Sequence, residues 1–147
     1  MKKSALAWLS FAVLAGSFAN QTAAQEKRTL ADLEGAKKLS ADELRALVTG
    51  AKVSSLANNG SLRRWENSAD GKFVARSTNA GEIGANRGST GTGSWHISAE
   101  GQYCVAIEWP KASEKWCRYI FRSGDKYFGV TSDRNPKGSA FELGFTK

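Results

Sequence analysis

The sequence predicts a mainly β protein: an antiparallel small barrel or sandwich of about eight strands, with one short N-terminal helix and one hairpin disulfide. Three observations indicate this class. Short segments of alternating apolar and polar residues are separated by turn-forming residues, and a single segment carries helix-capping signals. Both cysteines of the 147-residue chain lie in one pair of alternating segments. The chain has no βαβ alternation, no heptad pattern and no internal repeat.

The N-terminal stretch MKKSALAWLSFAVLAGSFANQTAAQ has the order of a secretory signal peptide. Lys2 and Lys3 are followed by a short apolar run and then by small residues up to Ala24. A membrane-spanning helix needs about 20 predominantly apolar residues, and this run is shorter. We therefore expect residues 1–24 to be removed as a signal peptide by cleavage near Ala24. The Met-Lys-Lys start suits a bacterium, so we expect a periplasmic protein without stable membrane insertion after cleavage.

Residues 25–147 suffice for one domain with a modest core. Residues 25–38 are polar and charged, which predicts a flexible lead-in or a frayed first helix. We expect residues 39–147 to form the single β-rich domain. Loss of the two N-terminal lysines lowers the formal charge from +7 to +5. Because this charge is modest and its basic residues are dispersed, we expect no nucleic-acid binding.

One helix is predicted at about residues 40–49 by its capping residues. Ser40 is a favourable N-cap, and Glu43 three residues later completes a capping box. Gly50 can end the helix in a left-handed conformation. We expect this helix to pack on or cap one end of a sheet.

The remaining chain alternates between strand and turn signals. Asp-Gly before residue 72, and glycine-containing turns near residues 100 and 124, predict three hairpins. The predicted strands are 52–56, 62–67, 72–78, 93–98, 102–109, 116–122, 126–131 and 141–145.

The two cysteines are predicted to form a cross-strand disulfide. Alternation on both sides of a Pro-Lys turn gives a hairpin register in which Cys104 faces Cys117 and Val105 faces Trp116. Exported proteins usually pair such cysteines, and closing this loop should stabilise the fold by about 3 kcal/mol. The alternatives are a redox pair, which usually has the spacing Cys-x-x-Cys, and a zinc site, which needs about four ligands. The chain has one histidine, so we expect no metal.

A glycine-rich segment, NAGEIGANRGSTGTG at residues 79–93, interrupts the strand rhythm. Its backbone amides and Arg87 could meet an anion. The segment lacks the Gly-Lys-Ser/Thr ending of a P-loop, and we favour a long, flexible hairpin connection.

Aromatic residues and arginines of the cysteine hairpin are the candidate binding residues. Arginine beside tyrosine or tryptophan is a common recognition pair, although stacked arginine is also common in plain surface packing. The candidates are Tyr103, Trp109, Trp116, Arg118 and Arg122, with Arg87 from the glycine-rich segment.

Three stretches, LSADELRALVTG, GTGSWHISAEGQYC and WCRYIFRSGDKYFGV, resemble a family of small proteobacterial exported proteins, the domain of unknown function nine-nine-five. The resemblance covers roughly residues 39 to 131. It implies a periplasmic β-domain and no particular activity, so no functional residues can be transferred from it.

No constellation in the sequence predicts catalysis. His96 alternates with the apolar Trp95 and Ile97, so we expect it to face solvent. The sequence lacks a Gly-x-Ser-x-Gly elbow. We therefore expect a non-catalytic binding protein without a cofactor. Its ligand would be a small apolar or anionic molecule, or a periplasmic or host protein. The alternatives are a hydrolase-type enzyme at a barrel mouth and a structural or envelope-stress protein without ligand.

Overall fold

A computed structural model describes residues 27–78 and 88–147 of the protein. The expected signal peptide, Arg87 and residues 79–87 of the glycine-rich segment lie outside the described residues. In chain order the strands and the α-helix are β1 (Arg28–Thr29), β2 (Lys37–Lys38), α1 (Ala41–Val48), β3 (Lys52–Leu56), β4 (Leu62–Glu66), β5 (Lys72–Ser77), β6 (Ser89–Ile97), β7 (Tyr103–Trp109), β8 (Ala112–Ser123), β9 (Lys126–Val130) and β10 (Ser139–Thr146), and a short 3-10 helix, Leu30–Asp32, lies between β1 and β2.

Strands β3 to β10 form a closed antiparallel barrel of eight strands. Each strand pairs with its neighbours in sequence, and β10 closes the ring by pairing with β3 as well as with β9. Closure decides between the barrel and the sandwich that the sequence left open. In the described residues, no helix is long and apolar enough to cross a membrane.

Helix α1 packs across the barrel end at which β3 begins and β4 ends. The Ser40 hydroxyl accepts from the Glu43 backbone N–H at 3.2 Å, and the Glu43 carboxylate accepts from the Ser40 N–H at 2.8 Å. Leu44 and Val48 are fully buried in the barrel core. The predicted N-terminal position of this helix is not confirmed, because β1 and β2 precede it.

The segment expected as a lead-in at residues 25–38 contains short regular elements from residue 28. Strand β1 pairs with β10, and β2 pairs with β8. Between them, Leu33 packs against Phe128, Val130 and Ala140. The segment covers an apolar patch on the outside of the barrel wall.

The cysteine hairpin has the predicted register. Cys104 faces Cys117 across β7 and β8 and is bonded to it, and Val105 faces Trp116. The disulfide therefore joins two neighbouring strands of the wall, on the face opposite to Val105 and Trp116.

Aromatic side chains and a satisfied polar network fill the helix end of the barrel. Tyr103 donates a 3.0 Å hydrogen bond to Asn67 Oδ1, which also accepts from Trp65 Nε1 at 3.0 Å. Asn67 Nδ2 donates to the Val48 carbonyl of the helix at 2.9 Å. Burial raises the pKa of Tyr103 to about 12. These partners make this end of the interior a structural core.

Candidate functional site

Three charged side chains lie on the inward face of the barrel wall, toward the end opposite the helix. Arg63 of β4 shares a face with the buried Trp65, two residues along the strand. In β8, Glu114 faces the buried Ile107, and Arg118 faces the buried Tyr103. Charged groups at such positions need partners, because desolvation penalises an isolated charge.

Glu114 is held by three donors. Its carboxylate forms an ion pair with Arg63 Nη1. It also accepts hydrogen bonds from Trp116 Nε1 at 3.2 Å and from Trp109 Nε1 at 3.4 Å. The side chains of both Glu114 and Arg63 are 22% exposed. The charge of Glu114 is therefore already compensated inside the protein.

Arg118 has aromatic neighbours instead of an anionic partner. Its guanidinium carbon lies 4.3 Å from the centroid of the Trp116 ring and 4.0 Å from that of Phe141. Within residues 27–78 and 88–147, its guanidinium makes no hydrogen bond and no ion pair. Partial burial lowers the pKa of Arg118 to about 10, while the nearby Glu114 charge opposes this shift. The side chain therefore remains cationic at neutral pH, and its donors have no acceptor in the described part of the chain.

Arg63 has a second unused donor. Its Nε is buried and has no hydrogen-bond partner in the described part of the chain. The guanidinium carbon lies 5.8 Å from the centroid of the Trp109 ring. The two arginines and Glu114 together carry one net positive charge. We call Arg63, Glu114 and Arg118, with the rings of Trp109, Trp116 and Phe141, the barrel site.

Two strand glycines, Gly129 and Gly91, leave room for the side chains of Arg118 and Trp109 in the barrel site. A Cβ at Gly129 would lie 2.8 Å from Cδ of Arg118. A Cβ at Gly91 would lie 2.9 Å from Cε3 of Trp109. Both distances are shorter than ordinary van der Waals contact, so a side chain at either position would displace a site residue.

This arrangement suits the binding of a small anion that carries an apolar body. A guanidinium offers donors in a fixed fork that matches a carboxylate, while the flanking rings offer apolar surface.

His96 lies on the outer face of β6, opposite the disulfide residue Cys104, and is exposed. In the described residues, no group of three or more His, Cys, Asp or Glu side chains could hold a metal ion.

The six candidates from the sequence have different positions. Trp109, Trp116 and Arg118 come together in the barrel site. Tyr103 belongs to the buried network at the helix end. Arg122 is exposed and donates from Nε to the Gly124 carbonyl at 3.0 Å. The sixth, Arg87, lies outside the described residues.

Sequence reasoning missed Arg63 and Glu114. Glu114 had a usable signal, because the predicted hairpin register already placed this acidic residue on the same face as Trp116 and Arg118. Arg63 had a weaker one, namely its position two residues before Trp65. That spacing predicts that Arg63 shares the face of Trp65, but it does not predict Glu114 as its partner. Strands β4 and β8 are distant in sequence and are not neighbours in the barrel.

A family model matches residues 12–119. The chain belongs to the family described as protein of unknown function (DUF995). The matched region begins before the stretch expected from the resemblance and ends within β8. It includes Arg63, Glu114 and Arg118 of this DUF995 protein, whereas Phe141 lies beyond it. No curated protein and no solved structure gives a significant match.

Proposed function

We propose that this DUF995 protein is an exported, non-catalytic periplasmic binding protein that holds a small anion with an apolar body in the barrel site. The carrying observation is the guanidinium of Arg118, which lies between the rings of Trp116 and Phe141 and has no anionic partner among residues 27–78 and 88–147. The ligand's anionic group would bind this guanidinium.

The charge balance of the barrel site favours a monoanion such as a carboxylate. Two arginines and Glu114 leave an excess of one positive charge. A dianion would be repelled by the Glu114 carboxylate, and the described residues of the site offer no second unpaired cation to offset that repulsion. Arg118 can instead bind a carboxylate with two parallel N–H···O bonds, and the flat rings would contact the apolar body.

The periplasmic location is supported by the N-terminal sequence pattern and by the disulfide, since disulfides persist in oxidising compartments. Absence of catalysis is supported by the state of the ionisable groups. The Glu114 carboxylate already accepts from three donors, and the His96 side chain is on the outside of the wall.

Calorimetric titration of residues 25–147 with octanoate and with 1-octanol tests this function. The two probes share a chain length and differ in charge. We expect octanoate to bind and octanol to bind much more weakly. The substitution Arg118→Gln should weaken octanoate binding about tenfold or more, because a hydrogen bond to a charged group contributes about 1.5–3 kcal/mol.

The matched control is Arg122→Gln, which removes the same charge from the exposed end of the same strand. This variant should bind octanoate as the unsubstituted protein does. Equal losses in both variants, or equal affinity for octanoate and octanol, would exclude Arg118 as the anion-binding residue.

A further inference from the structure

A separate groove lies on the outside of the barrel. It has a volume of about 450 Å³ and crosses β10, β3, β4 and β5. Its side chains alternate along the strands with buried residues such as Val53 and Phe73. It is therefore on the opposite face of the wall from the barrel site.

Two arginines face each other in this groove. Arg64 of β4 is directly opposite Arg76 of β5, and both are exposed. Neither makes an ion pair or a side-chain hydrogen bond with any described residue. Directly opposed like charges destabilise a strand pair, so the pair is unfavourable for folding unless an anion lies between the two guanidinium groups.

The adjacent positions add charge and hydroxyl donors. Ser54 is opposite Arg64, and Lys52 is opposite Glu66 on the same face. The groove thus has three cations and one carboxylate, an excess of two positive charges. This excess differs from that of the barrel site and matches a dianion. A phosphate monoester carries a charge of about −1.5 to −2 near neutral pH.

The groove lies where the strand ladder is interrupted. Strands β4 and β5 are in register at Arg63–Ser77 and Arg64–Arg76, and the pairing does not continue to Glu66 and Val74. Val74 is 58% exposed and lines the groove. The interruption gives the groove an apolar side next to its arginines, where the organic part of an ester can pack.

We propose that this surface, the basic groove of Lys52, Ser54, Arg64, Val74 and Arg76, is a binding site for a phosphate monoester. The phosphoryl group lies between Arg64 and Arg76, whose forks bind its oxygens. The body of the ester extends over Val74. The site is independent of the barrel site and of its proposed ligand.

Calorimetry at low ionic strength with glucose 6-phosphate, inorganic phosphate and glucose tests the basic groove. Because a phosphate monoester can also be a lipid headgroup, co-sedimentation with phosphatidylcholine vesicles containing phosphatidic acid forms a second arm. We expect a phosphate-bearing probe to bind in at least one arm, glucose not to bind, and added salt to weaken binding. Binding in the calorimetric arm indicates a soluble ligand, and binding in the vesicle arm alone indicates a lipid.

The diagnostic variant is Arg76→Gln, and the control is Arg45→Gln on the exposed surface of the helix. Arg76→Gln should weaken binding of the phosphate-bearing probe about tenfold. It should leave the unfolding temperature unchanged or raise it, because the variant removes a like-charge contact. Arg45→Gln and Arg118→Gln should keep the affinity. Absence of binding in both arms, or equal affinity for Arg76→Gln and the unsubstituted protein, would overturn the proposal.

Discussion

Strand β8 carries two arginines, four positions apart, in contrasting surroundings. Arg118 lies between aromatic rings on the inward side, and its pKa is lowered to about 10 mainly by desolvation. Arg122 is exposed near the hairpin turn and donates to the carbonyl of Gly124. A partly buried cation that has no ion pair within the described residues is disfavoured by desolvation. The proposed binding role of Arg118 therefore rests on its surroundings, rather than on residue type or strand.

The substitution Glu114→Gln should change binding and stability in opposite directions. It removes the carboxylate that neutralises Arg63, so the barrel site gains one positive charge and should bind octanoate several-fold more tightly. The half-buried Arg63 loses its ion pair, which should lower the free energy of unfolding by about 1–3 kcal/mol. Calorimetry with octanoate and urea unfolding measure the two effects.

The control for this substitution is Glu108→Gln, which makes the same change in net charge on the outer face of β7. It should leave both octanoate affinity and stability near those of the unsubstituted protein. If Glu108→Gln raised the affinity as much as Glu114→Gln, total charge rather than the barrel site would govern binding.

The substitution Gly129→Ala should displace Arg118. The added Cβ would lie 2.8 Å from Cδ of Arg118 and 3.2 Å from Cδ1 of Leu143. Overpacking of this kind costs about 1–3 kcal/mol, and the shifted guanidinium should bind octanoate more weakly. Thermal unfolding and calorimetry check both expectations. If the alanine variant kept both the stability and the octanoate affinity of the unsubstituted protein, the close contact between residue 129 and Arg118 would be contradicted.

The residues of the barrel site could be predicted only in part from the sequence. Trp109, Trp116 and Arg118 could be predicted because one hairpin register positions them. Arg63 could not, because the ion pair with Glu114 depends on barrel closure. No local pattern specifies how far β4 lies from β8.

Among the elements, helix α1 depends most on local interactions. Its capping box satisfies backbone N–H groups that the first turn leaves without partners. The substitution Ser40→Ala should lower the free energy of unfolding by about 1 kcal/mol, measured by urea denaturation. The control is Ser113→Ala, at an exposed position of β8, which should have little effect. Equal effects of the two alanine substitutions would contradict a capping role for Ser40.

Helix α1 and the segment that precedes it differ in how well the sequence predicts them. The helix could be predicted because Ser40, Glu43 and Gly50 act within a few residues of each other. The strand pairs and packing of residues 28–38 could not be predicted, because they depend on the outer surface of β8, β9 and β10. Leu33 has a reason to be buried only when that apolar surface exists.

The disulfide links the scale of one hairpin to the stability of the molecule. Cys104 and Cys117 are separated by 13 positions. Reduction of the bond that closes this loop should lower the free energy of unfolding by about 3 kcal/mol. Guanidinium unfolding with and without reductant measures the difference. Thiol titration of the denatured, unreduced protein should find no thiol. Two free thiols in freshly purified protein, or equal stability after reduction, would contradict a stabilising bond.

At the scale of the whole molecule, the two ends of the barrel interior differ in chemistry. The helix end has a polar network whose hydrogen bonds are satisfied by Asn67, Tyr103 and Val48. The opposite end has guanidinium donors, on Arg118 and Arg63, that no side chain or carbonyl of the described residues accepts from. Local patterns predicted the eight barrel strands, although β6 and β8 begin four residues earlier than predicted, and they did not predict the choice of barrel over sandwich. That choice depends on pairing of β10 with β3, whose residues are far apart in the chain.

A crystal structure of residues 25–147 grown with 8-bromooctanoate tests the central claim most directly. The account predicts that both carboxylate oxygens lie about 2.7–2.9 Å from guanidinium nitrogens of Arg118, with the anomalous signal of bromine inside the barrel mouth. A carboxylate bound elsewhere, with the guanidinium of Arg118 still between Trp116 and Phe141 and without an anion, would contradict it.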